Sequence, residues 1–130
     1  MTFKQLSLQS LLAAVFAISA ALIYNSVYSG AFMVDFSAVM NSGAIISATL
    51  IGIILMGTSH LVAYKWLKGK GLGIINLLIC VLSFASIIGI FAMKFPLEIE
   101  FPELFPGLAV PMHFFPALSF FAVQPFFVKR

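Results

Sequence analysis

Four apolar runs, at about Leu6–Tyr28, Gly43–Tyr64, Leu72–Met93 and Leu104–Val128, take up most of this chain, and no charged side chain interrupts any of them. The second could begin as early as Phe36. Each is long enough for a helix that crosses a bilayer, which takes roughly 20 residues. The composition leaves little for anything else. Hydrophobic residues make up 62% of the 130 residues, charged residues 8%, and the mean hydropathy is +1.15. A water-soluble domain carries about a quarter charged residues. The expected fold is therefore all-α: an integral membrane bundle of four transmembrane helices, up-down-up-down, with a Pro-kinked fourth helix, residues 1–130 forming one transmembrane domain. That excludes a separate extramembrane domain, a large catalytic domain and a nucleic-acid-binding module.

The first run resembles the apolar stretch of a signal peptide, with one Lys before it and small residues at Ala17, Ser19 and Ala21. It extends to about Tyr24, too long for a typical signal, and is expected to be a span. Cys80 is the single cysteine, so no intramolecular disulfide or dithiol redox pair can form.

The net charge of +3 is a topology signal rather than a nucleic-acid footprint. Lys4 precedes the first run, Lys65, Lys68 and Lys70 separate the second and third, and Lys129 and Arg130 follow the fourth. The other two loops hold Asp35, Glu98, Glu100 and Glu103, with Lys94 the one dissenting cation. An excess of Lys and Arg marks the cytoplasmic side. Both termini and the turn between helices 2 and 3 are expected there, in a bacterial inner membrane. Gly69-Lys70-Gly71-Leu72-Gly73 lacks the Lys-Ser/Thr ending and the preceding strand of a phosphate loop. It is expected to be a tight hairpin turn whose glycines allow positive φ. Residues 32–40 repeat apolar side chains at helical spacing, as a short interfacial helix or an early start to helix 2 would. Residues 95–101 alternate with period two, as an extended segment with Leu97, Ile99 and Phe101 toward lipid would.

Polar side chains inside apolar runs are costly and therefore informative. Counting inward from the nearest basic flank, Gln9, His60, Asn76 and Gln124 each fall five or six residues in, a common depth of roughly 8 Å at 1.5 Å per residue. Asn76 should meet His60 across the hairpin. A deeper layer holds Ser19, Thr49, Ser86 and His113, fifteen or sixteen residues in. Thr49 and His60 are eleven residues apart, as are His113 and Gln124. That spacing is about three turns and places each pair on one stripe. Thr49 is expected to face His113, and His60 to face Gln124. Small residues at Ala13 and Ala17, Ala48 and Gly52, and Ala85 and Gly89 suit close helix contacts.

The fourth run carries Pro106, Pro111, Pro116 and Pro125. Each removes a backbone donor and frees the carbonyl four residues earlier: Gly107 for Pro111, Met112 for Pro116. Irregular backbone at membrane depth is tolerated where protein buries it or a cavity lines it. With eight phenylalanines in or beside it, this helix could wall a cavity for a flat apolar molecule with one polar head. The candidate ligand-binding residues are His113, Thr49, Ser86 and Phe120.

Other chemistries fit less well. His60 and His113 differ in depth by about 16 Å, too far apart to clasp one haem iron. Neither has the further ligands a metal site needs. No Asp, Glu, Lys or Arg lies within a run to serve catalysis or proton coupling. The expected function is non-catalytic, with no cofactor: a small subunit of a membrane complex, or a binder of a quinone or lipid in an intramembrane cavity. The alternative is a homo-oligomeric channel or small-solute transporter. Expected partners are membrane lipid and either a membrane protein or further copies of the chain, with no nucleic acid.

Overall fold

A computed structural model describes residues 2–68 and 70–128. It is all-helical, with α1 Phe3–Phe32, α2 Ser42–Trp66, α3 Leu72–Phe91 and α4 Phe105–Val123. All four helices are long and apolar enough to cross a membrane, α4 with the 3-10 turns Pro102–Leu104 and Gln124–Phe126 that flank it. Local chemistry sets the ends. Thr2 and Gln5 form a reciprocal capping box that satisfies two amides at the start of α1. Its far end is closed by Met33 in the left-handed region. Asn41 caps α2, its Oδ1 accepting from the Ala44 amide at 2.8 Å. Before Pro125, α4 tightens into a 3-10 turn at Gln124 and so ends short of Val128. Across Pro111 and Pro116 it stays α-helical.

α4 touches all three other helices, and α1 packs on α4 and α2. The buried face of α1 is a stripe of Ala13, Ala17 and Ala21, one residue every four, which lets neighbouring backbones approach closely. Gly57 of α2 sits so near Ser10 that an added Cβ would meet the Ser10 Oγ at 2.7 Å. α3 lies at the periphery, and Ile79 and Ile90 are its buried residues. Its Gly89 has open space around it and Ala85 is exposed, so that small pair faces outward. Ala48 lines a cleft and Gly52 faces Pro116.

Two apolar clusters fill the bundle. One lies at the end with the two long connections and includes Ala21, Val34, Phe36, Ile90, Phe105 and Leu108. The connection at 34–41 is neither an interfacial helix nor an early α2. It turns back on itself and inserts Val34 and Phe36, the latter edge-on to Phe105 at 5.3 Å between ring centroids. Asp35 stays outside, and a hydrogen bond from the Ser37 amide holds its carboxyl below the usual carboxylate range. The extended pattern at 95–101 is broken by a turn in which the Ile99 amide donates to the Pro96 carbonyl. Leu97 is fully exposed, whereas Phe95 and Ile99 pack inward on the cluster. The second cluster, near the short α2–α3 turn, includes Leu6, Ala13, Ile53, Met56, Ile79 and Phe120. In that turn positive φ falls on Lys68, at 47°, and Gly71 takes −86°. Gly71 is instead required by space, because a Cβ there would collide with the Leu67 side chain. Gly69, and the Lys129 and Arg130 used in the orientation argument, lie outside the described residues.

Candidate functional site

The contact between α2 and α3 is slight, and where they part a cleft of about 470 Å³ opens with α4 as its floor. Its walls are almost wholly apolar, from Ala48 and Gly52 on α2 to Leu82 on α3 and Met112 and Pro116 on α4. Thr49, Ser86 and His113 all line it, as do Ser59 and Ser83. Gly52 lies against Pro116, its ideal Cβ 3.7 Å from the proline Cβ. Farther along the same two helices the His60 ring meets Phe120. Both contacts run in the same direction along α2 and α4, and three residues back from the Gly52–Pro116 contact come Thr49 and His113, at about the same height.

The polar groups of the cleft differ in how free they are. Ser59 Oγ donates to the Leu55 carbonyl, Ser83 Oγ to Ile79, and Ser86 Oγ to Ser83. Their hydroxyl protons are spent on their own helices. His113 Nδ1 lies 2.8 Å from the Ala109 carbonyl, which can only accept. Nδ1 therefore carries the proton, and in the neutral ring Nε2 is left as an acceptor. Thr49 is 94% buried, from a relative exposure of 6%. Among the described residues its hydroxyl has no hydrogen-bond partner; His113, by contrast, is an exposed residue, and its Nε2 is open at the cleft.

Phe120 is not part of this cleft. It is wholly buried in the second cluster with its ring 4.8 Å from the His60 ring. His113 and Phe120 share a helical stripe by their seven-residue spacing, but at the level of Phe120 the His60 ring and Gln9 close over α4. Ser19 is exposed on α1 and does not join the deeper layer.

Beyond the cleft floor, a second set of polar groups links α2 to α3 and α1 to α4. His60 is fully buried. Its Nδ1 lies 2.9 Å from the Met56 carbonyl, and its Nε2 lies 2.9 Å from the Asn76 amide group. The structure sets Asn76 Oδ1 at Nε2; with Nδ1–H given to Met56, a neutral ring could only accept there, and the Asn76 amide turned end for end would supply the N–H. Gln9 Nε2 donates to the Phe120 carbonyl at 3.3 Å, leaving Gln9 Oε1 buried and unpartnered. Gln124, expected opposite His60, starts the closing 3-10 turn and is only half-buried. His60 takes Asn76 and Phe120 as its neighbours instead.

Two tyrosines not singled out from the sequence also serve α4. The Tyr24 hydroxyl donates to the Gly107 carbonyl at 2.8 Å, and Tyr28 to the Leu104 carbonyl at 2.7 Å. Gly107 is the residue whose helical partner would be the missing N–H of Pro111. The signal was the spacing: two tyrosines one turn apart on a helix, and a proline-freed carbonyl that needed a donor.

Among the described residues no three His, Cys, Asp or Glu side chains gather where a metal could be held. No family model matches the chain, and no curated protein or solved structure shows significant similarity to it.

Proposed function

We propose that this chain is an integral membrane protein of up-down-up-down topology that binds an apolar molecule with one polar head in the α2–α3–α4 cleft. Four apolar helices with few charges support the membrane setting. The gathering of both long connections at one end and the basic α2–α3 turn at the other supports the topology. The bend of α4 would sit at Pro111 and Pro116, where ladder hydrogen bonds are missing.

The observation that carries the binding role is the cleft itself. Pockets for small molecules are mostly apolar, with a few placed polar groups, and run from about 300 to 1,000 Å³. This cleft, at about 470 Å³, has two unspent polar groups at one level of an apolar wall. His60, the residue after Ser59, packs with Asn76 and Phe120 at the Ser59 and Met56 end of the cleft, an arrangement that suits a blind pocket better than a conduit.

Native mass spectrometry of the gently solubilised protein tests this reading. The expected result is a chain carrying a small apolar molecule, which is lost from Ala48→Trp, a variant whose indole would fill the cleft. A bare homo-oligomer of defined size would overturn binding in favour of a channel or transporter.

A further inference from the structure

We propose, building on the binding role above, that the cleft selects a single-chain amphiphile with a neutral hydroxyl head, and discriminates against heads that can only accept hydrogen bonds. The argument is one of donors and acceptors. His113 has committed its Nδ1–H to Ala109, so it offers the cleft an acceptor, Nε2. Thr49 offers a hydroxyl whose proton is not turned back onto its own helix, in contrast to Ser59, Ser83 and Ser86. Thr49 is also deeply buried while lining the same space. A ligand hydroxyl seated between these two lining groups would satisfy both: its proton would go to His113 Nε2 and its oxygen would accept from Thr49 Oγ1. A ketone, an ester or an oxidised quinone can accept from Thr49 but leaves Nε2 facing a lone pair. A carboxylate has the same defect and brings a charge into an apolar wall that holds no cation to meet it. A site built to bond a hydroxyl rejects analogues that lack it, because its own polar groups are then left unpaired.

Position narrows the ligand further. Thr49 is seven residues from the first residue of α2, and His113 eight from the first of α4. At 1.5 Å per residue that is roughly 10 to 12 Å along the bundle. Bilayer lipids keep their heads at the interface, so the ligand is a molecule whose head can leave it: uncharged, small-headed and on one chain.

The test compares dodecanol with the methyl ketone of the same length, titrated into the detergent-solubilised full chain and scored by native mass spectrometry. The alcohol is expected to bind roughly tenfold more tightly, the scale of one net hydrogen bond. His113→Phe, which keeps a ring, should lower alcohol binding toward the ketone level without weakening the ketone, whereas Thr49→Val, which keeps the shape, should weaken both probes, since each accepts from the Thr49 hydroxyl. Equal binding of the two probes would overturn the head-group selection while leaving a binding cleft in place. Binding of neither would overturn the cleft's binding role as well. A measurement that needs no variant stands beside these. In imidazole-¹⁵N-labelled protein the His113 ring should show a protonated Nδ1 and a bare Nε2. A proton on Nε2 would reverse the donor pattern and overturn the proposal.

Discussion

Tyr24 and Pro111 form a pair whose energetics a double-mutant cycle can isolate. The hydroxyl of Tyr24 supplies the Gly107 carbonyl with the donor that the proline ring withholds. Tyr24→Phe should cost about 0.6 kcal/mol, the average for hydrogen bonds between membrane helices, and no more than about 1.7 kcal/mol. In a Pro111→Ala background the N–H of residue 111 returns and the same tyrosine substitution should cost less. Reversible unfolding in mixed SDS micelles measures both; equal costs would mean that Tyr24 does not serve the freed carbonyl. At this scale the sequence is only half legible. Proline chemistry predicts that the Gly107 carbonyl lacks its partner, but which donor answers depends on how α1 lies across α4, and that is set by the alanine stripe at 13, 17 and 21. Phe120 shows the opposite case. Its helical phase matches His113, yet its fate is decided by His60 and Gln9 from other helices.

At the scale of elements, α3 is the informative helix. It is the most apolar of the four by hydropathy, 2.6 over its best window, and the least buried, at 11% of that window. Hydropathy measures how well a helix tolerates an apolar solvent and says little about how much protein it touches. The four runs therefore announce four helices, but they do not reveal that α4 is the one packed against all three others and that α3 is peripheral. α3 is held by a few points: Asn76 on His60, Ile79 and Ile90, and Phe84 edge-on to Phe114 at 5.1 Å. The depth count that puts Asn76 level with His60 uses only the shared turn between their helices, which is why this proximity is legible without coordinates. The count that sets Gln124 opposite His60 has no such tether. Asn76→Leu should lower stability by about 1 kcal/mol or more, since it also leaves His60 Nε2 unpaired. The double variant His60→Leu with Asn76→Leu should cost less than the sum of the two single changes. Thermal unfolding in detergent checks both, and an unchanged midpoint for Asn76→Leu would show that the bond does not hold α3.

For the whole molecule, the distribution of charge and the distribution of structure point the same way. The short α2–α3 turn bears Lys65, Lys68 and Lys70, while the two long connections bear Asp35, Glu98, Glu100 and Glu103 and fold their aromatic residues inward at one end. Positive residues are retained on the cytoplasmic side, so in the proposed topology the basic turn would face the cytoplasm and the Phe36–Phe105–Phe95 cap would lie at the opposite face. The cleft would then lie below that cap, with its polar level nearer the outer side, and the His60–Asn76 set would lie nearer the cytoplasm. Cysteine accessibility tests this arrangement directly. Cys80 is the only cysteine and is exposed on α3, so in intact membranes lipid should shield it from a water-soluble maleimide that reaches it once the protein is denatured. In a Cys80→Ser background, Glu98→Cys should be labelled on intact cells by an impermeant maleimide, and Lys70→Cys only after permeabilisation. The reverse pattern would invert the orientation and place the cleft's polar level toward the cytoplasm. Labelling of both positions on intact cells would defeat the four-span reading, because the turn at Lys70 and the connection at Glu98 are joined by α3 alone, and a helix that crosses the membrane must put its two ends on opposite sides.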